Sequence, residues 1–479
     1  MRGKTPEKAA GLCGFTIFST VEKINVRDSR CCQQRLETAC GCLDLAFGMR
    51  HQSENARQEK SRSGSMPQPM SAIASTELVR QKNSLSVMAA LRLHGSLSHT
   101  DMSTFTGLAS ATVSAITTEL ERAGIILRKE QIAAAGRGRP RILFAPHGAF
   151  CHVAIVIISS DSVQYSLVDY AGKLVDRFTE QRMTTEKGRF GGAIRAGLAR
   201  LADRSRIDRH DILQVSISSK GLVDAATATL LWSPVLGDEK IDFQQLVSAD
   251  QPTRVTLNNE TLLAAKAIWM REQAKDGSAT EALVTLSLGH SIGLGIARST
   301  GGAIEVSAPN FGHMLHLADG ALCRCGTRGC IEAYSGFYAI LRSAFEAPPQ
   351  AEPAKFVPVA EVDKIAASAR AGARMARFAF RTAGLALGNG LSRLFSLHGH
   401  MPVFITGPGT RYFDLLESGL RDGLAQSQAV RFGGMPKIAI ASNEPELVFE
   451  GHMEHALSAA DDYILSAEAA QKPVRNSAG

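Results

Sequence analysis

The sequence predicts a small helical head with a β wing, followed by a large α/β body. Three observations predict it. Residues 83–124 carry apolar positions at helical spacing, broken by glycines. Residues 124–146 read strand, basic glycine-rich loop, strand. From about residue 150, short β-rich runs alternate with amphipathic stretches, the pattern of an α/β domain.

The elements follow in order. Residues 1–75 show no sustained periodicity, and HQSENARQEKSRSGSMPQPM within them is polar and Pro/Ser-rich, so a disordered extension is expected. The head spans 76–147. Leu85, Met88 and Leu91 mark a first helix that Gly95 ends. Thr100 is expected to cap a short second helix that turns Met102 and Phe105 inward. Gly107 makes a turn, Ser110 opens a third helix on an apolar face of Val113, Ile116 and Leu120, and Gly124 stops it. This order is the tri-helical DNA-binding plan. Ser110, Thr112, Ser114, Thr117 and Thr118 form the outward face, where small hydroxyl residues let a helix sit deep in the major groove. In the wing loop, Arg137, Arg139 and Arg141 alternate with Gly136, Gly138 and Pro140, which suits a narrow, electronegative minor groove. Double-stranded operator DNA is the partner these features point to.

The body is read as 148–465, with 466–479 as a flexible tail. CHVAIVII, VQYSLVDYAGKLVDRF, ILQVSISSKGLVD, TRVTLNNE and EALVTLSLG are its strand runs, with helical GGAIRAGLARLADR and TLLAAKAIWMREQ between some of them. MPVFITGPGTRYFDLLESGLRDGL adds a later strand–turn–helix unit, and EAPPQAEPAKFVPVAEVD is expected to be an exposed loop. An apolar content of 44% with 21% charged residues is ordinary for a soluble globular protein, and a net charge of +7 permits nucleic-acid binding. No apolar run approaches the ~20 residues of a membrane span, so no membrane partner is expected. Nine cysteines, an odd number without a secretion signal, argue against a disulfide scaffold and for a reducing cytoplasm.

Three of those cysteines crowd into CRCGTRGC, residues 323–330. With its flanks, FGHMLHLADGALCRCGTRGCIEAY resembles the zinc segment of the ROK family, which groups sugar kinases with sugar-responsive repressors. His313, Cys323, Cys325 and Cys330 reproduce the family's H-x9-C-x-C-x4-C spacing. The chemistry supports the same ion independently. Three thiolates and one imidazole suit tetrahedral zinc, and four protein ligands leave no open position, so the metal is structural. Gly326 and Gly329 let the chain wrap tightly, and the polar flanks argue against thiols packed in a core.

The resemblance covers about 80–465 and implies a two-lobed, actin-like or ribonuclease-H-like sugar-kinase fold assembled as a homodimer or homotetramer. It also implies that phosphoryl transfer is lost. Where family kinases have a D-I-G-G-T turn for ATP and Mg(II), VIISSDSVQYSLVDYAG puts Ile157 at the Asp and Ser159 and Ser160 at the glycines. The family's E-N-D base becomes Glu260 beside Asn259, displaced by an extra methylene. A sugar or sugar derivative would be held by Asn259, Glu260, Asn310, His313 and Glu332, with Asn310 replacing a family Glu. His313 would serve zinc and sugar at once. Family recognition helices read S-K-A-T-V-S-R, so Ser110 and Ala115 remove two charges and shift DNA affinity towards the wing. The function implied is a DNA-binding transcriptional regulator, a repressor of carbohydrate uptake or catabolism. Its rivals are an ATP-dependent sugar kinase with a vestigial head and a regulator controlled by a protein partner.

Overall fold

The computed structural model describes residues 71–466, apart from 132–140, 160–161, 182–186, 235, 238, 250–252, 276–279 and 301–302. The expected extension up to residue 70, the wing-loop arginines Arg137 and Arg139, Ser160 and the tail beyond residue 466 lie outside the described residues.

The head opens with α1 (Ser71–His94), so this helix starts inside the stretch read as disordered. Val87, Met88 and Leu91 are its buried stripe, and Gly95, at φ +78°, closes it. In α2 (His99–Thr106) the cap is Ser98, not Thr100. The Ser98 hydroxyl accepts from the Asp101 amide while the Asp101 carboxylate accepts from the Ser98 amide, a reciprocal box. Met102 points inward as expected. Phe105 does not: it is 53% exposed and stacks on His94 with ring centroids 3.9 Å apart, because the end of α1 offers it a partner at the surface. Helix α3 (Ser110–Arg122) buries Val113, Ile116, Thr117 and Leu120. Strands β1 (Ile126–Gln131) and β2 (Arg141–Pro146) form an antiparallel hairpin, and Leu97 adds a third rung by exchanging both backbone bonds with Phe144.

The first lobe contains β3 (His152–Ile158), β4 (Ser162–Asp169), β5 (Leu174–Gln181), α4 (Lys187–Ser205) and β6 (Ile212–Ser219). It continues through β7 (Leu222–Asp224), β8 (Thr229–Trp232), β9 (Ile241–Asp242), α5 (Phe243–Val247), β10 (Arg254–Asn259) and α6 (Glu260–Gln273). Its main sheet has the order β10-β6-β3-β4-β5. Strand β3 is central and buried along nearly its whole length, as a continuous apolar run demands when both faces are covered.

The second lobe contains β11 (Ala282–Leu288), β12 (Ile292–Thr300), β13 (Ala303–Ser307), α7 (Glu332–Ser335), α8 (Phe337–Ala344), α9 (Val359–Arg370) and α10 (Arg374–His398). It closes with β14 (Val403–Thr406), α11 (Phe413–Ala425), α12 (Gln428–Gly433), β15 (Ile438–Ile440) and α13 (Glu444–Ile464). Its sheet runs β13-β12-β11-β14-β15. Both sheets have three antiparallel strands followed by two parallel ones, so the lobes repeat one topology. This is the two-lobed α/β arrangement that the sequence implied. The connection 346–358 carries the expected exposed loop, although Val357 is buried, and α9 takes up its last residues.

Each lobe has its own core. A third apolar cluster is shared: Val87, Met88 and Leu91 of the head are continuous with Val153, Tyr170, Leu263, Leu447 and Leu457 of the body. Helices α6 and α13 lie within this shared layer.

Candidate functional site

A cavity of about 230 Å3 opens where the strand ends of the two sheets meet. Ligands in α/β sheets bind at the carboxyl ends of strands, and β6 and β10 both end here. The volume falls below the roughly 300–1,000 Å3 of drug-sized sites, leaving room for one small ring.

Four of the five expected sugar residues line this cavity: Asn259, Asn310, His313 and Glu332. Asn259 is largely committed to the fold. Its side-chain oxygen caps α6 by accepting from the Thr261 amide at 2.9 Å, and its amide nitrogen donates to the Gly221 carbonyl at 2.7 Å. Glu332 is fully buried, accepting from the Ile292 amide at 3.1 Å and from Arg324 at 3.3 Å. Asn310 is exposed at the head of the short turn Phe311–His313. The fifth residue, Glu260, does not line the cavity. It is buried as the first residue of α6, with one carboxylate oxygen 3.7 Å from the Lys220 ammonium and the other without a partner. Burial pushes the Glu260 carboxyl up to about 7, and Lys220 offsets only part of that.

Lys220 was not foreseen from the sequence, and neither was Trp232. Lys220 projects from the end of β6 into the cavity, and Trp232 meets the His313 ring edge-on with centroids 5.1 Å apart. The available signal was position alone: Lys220 directly follows the strand run ILQVSISS and precedes a glycine. Ile157 is buried in β3, and just beyond that strand the Ser159 amide donates to the Ser162 carbonyl at 2.9 Å.

The metal-ligand set comes together as the spacing predicts. His313 Nδ1 and the sulfurs of Cys323, Cys325 and Cys330 all lie within 4.8 Å of one another. Cys325 Sγ is 3.7 Å from Cys330 Sγ, and Cys323 Sγ is 3.6 Å from His313 Nδ1. A tetrahedral ion with Zn–S bonds near 2.3 Å spaces its sulfurs by roughly 3.8 Å, which the Cys325–Cys330 pair already matches, so the donor set suits zinc after a small contraction. Gly329 sits at φ +79°, and a Cβ there would lie 1.8 Å from the Leu317 carbonyl oxygen, so no other residue fits this turn. A hydrogen bond to Cys330, with burial, pushes the Cys323 thiol up to about 12, while the same bond pulls Cys330 down. A divalent cation binding here would have to displace the protons these thiols hold. Contrary to the reading of polar flanks, Cys323 and Cys330 are buried against Ala321 and Ala333. His313 is also one of the residues that line the cavity.

On the head, α3 turns Ser110, Ala111, Ala115 and Thr118 to solvent, with Thr112 and Ser114 half-buried. Thr117 leaves this face. It follows Val113 by four residues, which places it on the apolar stripe, and its hydroxyl bonds the Val113 carbonyl at 3.0 Å and His99 Nε2 at 2.8 Å.

Comparison with known proteins places these features. The ROK family model matches residues 156–398. The xylose repressor of Caldicellulosiruptor bescii is 23% identical over 363 residues, 73% of this chain and 88% of the repressor. The DNA-binding transcriptional repressor Mlc of Escherichia coli K12 is 22% identical over 366 residues, 73% of this chain and 86% of that protein. The glucokinase of Streptomyces coelicolor is 27% identical over 266 residues, 53% of this chain and 80% of the enzyme. The crystal structure of a ROK family transcriptional regulator, described as a homologue of E. coli Mlc, superposes with a TM-score of 0.64 at 18% identity, covering 81% of this chain and 98% of that one.

Proposed function

Since the chain belongs to the ROK family, we propose that it is a DNA-binding transcriptional regulator, a repressor of carbohydrate uptake or catabolism, that responds to a sugar or sugar derivative in its kinase-like cleft. The observation that carries this reading is the head itself. Three helices and a hairpin in winged-helix order present the polar start of α3 to solvent, and they are built onto the body that holds the cavity.

In this reading Ser110, Thr112 and Ser114 face the major groove and Arg137 and Arg139 enter the minor groove. Asn259, Asn310, His313 and Glu332 contact the sugar, while Glu260 acts through Lys220. Zinc held by His313, Cys323, Cys325 and Cys330 supplies rigidity: it fixes the tautomer and angle of the one ligand that also faces the cavity. The chain works in the cytoplasm as a homodimer or homotetramer, because paired heads read half-sites one or more helical turns apart. Among the described residues no helix is long and apolar enough to cross a membrane.

The reading excludes catalysis on two grounds. Ile157 offers no ligand for Mg(II) at the position where the family places its Asp. The carboxylate of Glu260 is held beside an ammonium rather than open to a sugar hydroxyl. The glucokinase relatives favour the competing reading, a sugar kinase with a vestigial head. Fluorescence anisotropy of the zinc-loaded protein on the duplex upstream of its own gene, titrated with sugars and sugar phosphates, separates them. Salt-dependent binding released by one sugar supports the repressor. Sugar-dependent ADP release without DNA binding supports the kinase. Tight binding indifferent to every sugar shifts control to a protein partner.

A further inference from the structure

One helix spans the distance from the cavity to the head. The first residue of α13, Glu444, accepts a hydrogen bond from the hydroxyl of Ser287, a cavity-lining residue at the end of β11. Seventeen residues later, roughly 26 Å along the axis, Asp461 meets Arg92 of α1. The contact is a two-pronged pair, Arg92 Nε to Asp461 Oδ2 at 2.9 Å and Arg92 Nη2 to Oδ1 at 2.7 Å, with both side chains 5% exposed. The Tyr170 hydroxyl donates to the same carboxylate, and the guanidinium lies 4.4 Å from the Tyr170 ring centroid while donating to the Tyr170 carbonyl.

Between its ends α13 is clamped to the two elements that build the cavity. Gln214 of β6 donates to the Ala456 carbonyl at 2.7 Å, and Ser216 of β6 bonds His452 Nε2 at 2.9 Å, both fully buried. Helix α6 crosses so closely that a Cβ on Gly451 would lie 1.9 Å from the Leu263 carbonyl oxygen. Strand β6 leads directly into Lys220, and α6 begins at Glu260.

We propose that α13 is the rod through which the state of the cavity reaches the DNA head, and that Arg92 and Asp461 are the positioning residues that make the head follow it. The proposal rests on the regulator reading above. A bidentate pair out of water fixes orientation as well as distance. Parting it would leave two uncompensated buried charges, so the head moves with α13 rather than sliding over it. Packed elements of this kind switch between discrete arrangements instead of deforming gradually.

Amide hydrogen exchange on the zinc-loaded full chain, without DNA, tests it. Ser287→Ala cuts the cavity end of the rod. Arg92→Met with Asp461→Leu removes the latch and keeps the junction apolar and packed. The expected result is that Ser287→Ala changes exchange in α1–α3 roughly two- to thirtyfold in the parent. In the latch-free background that change disappears, while exchange around β11 still responds. Head exchange indifferent to Ser287→Ala, or equally responsive without the latch, overturns the proposal. Should the double variant fail to fold, Arg92→Lys, which keeps the charge and loses the fork, must at least halve the transmitted change on a logarithmic scale; an undiminished response overturns the proposal. Neither arm uses DNA. A failure to bind duplex in the anisotropy titration would end the regulator reading and leave the coupling result standing.

Discussion

Glu260 is held in a place that disfavours its charge. Its carboxyl is pushed up to about 7 against a usual 4.5, so between those values the folded chain binds more protons than the unfolded one. Stability contributed by this group is therefore full below pH 4.5 and lost as pH rises through 7. Urea midpoints should show the parent losing more stability between pH 5 and pH 8 than Glu260→Gln does; parallel losses would mean that Lys220 already compensates the charge. The residues of this site were unequally legible in the sequence. Asn259, Asn310, His313 and Glu332 were found because each sits in a motif with fixed spacing. Glu260 was found, but its burial was not, since Lys220 approaches it from a strand end whose place is set by sheet order. Thr117 was assigned to the wrong face although its spacing from Val113 already placed it on the buried stripe.

At the scale of single elements, the zinc loop and the capping box make the sharpest claims. Cys323→Ser removes a donor from a closed four-ligand set. Metal analysis should find close to one zinc per chain in the parent and a large loss in the variant, with a lower thermal midpoint. A variant that keeps full zinc would remove Cys323 from the ligand set. Ser98→Ala leaves the first turn of α2 without its reciprocal bonds and should cost about 1 kcal/mol in chemical unfolding of the folded chain. Secondary structure in the head was readable because its glycines fall at helix ends: Gly95, Gly107 and Gly124 all have positive φ. The cap was misplaced by two residues because Ser98 and Thr100 are both residue types that cap helices. The position of Asp101, three residues beyond Ser98, distinguishes them.

Across the whole molecule, one buried histidine, His452, and one half-buried histidine, His455, weaken the folded chain in acid. Burial drives His452 down to about 3 and His455 to about 4, against a usual 6.5. Below pH 6.5 the unfolded chain takes up protons that the folded chain refuses, so stability falls as pH drops from 6.5 towards 3. His452→Gln should flatten that slope in acid titrations followed by circular dichroism; an unchanged slope would assign acid unfolding to other groups. For DNA binding, Arg137→Ala with Arg139→Ala should weaken duplex affinity and reduce the salt slope by up to about 2. Unchanged affinity at fixed salt would take the wing out of the interface. The duplicated order of strands within the two sheets was not visible in the sequence, because it depends on pairing between runs as far apart as Val284 and Val403.

The apolar cluster that runs without a break from Val87, Met88 and Leu91 into Tyr170 and Leu457 also limits how this protein can be taken apart. A head cut free near residue 147, or grafted onto an unrelated body, would bare the surface that α13 now covers, together with an orphaned guanidinium. Such fragments should self-associate instead of behaving as a transferable DNA-binding cassette. Chimeras that exchange specificity should keep α1 and α13 together as one unit of inheritance.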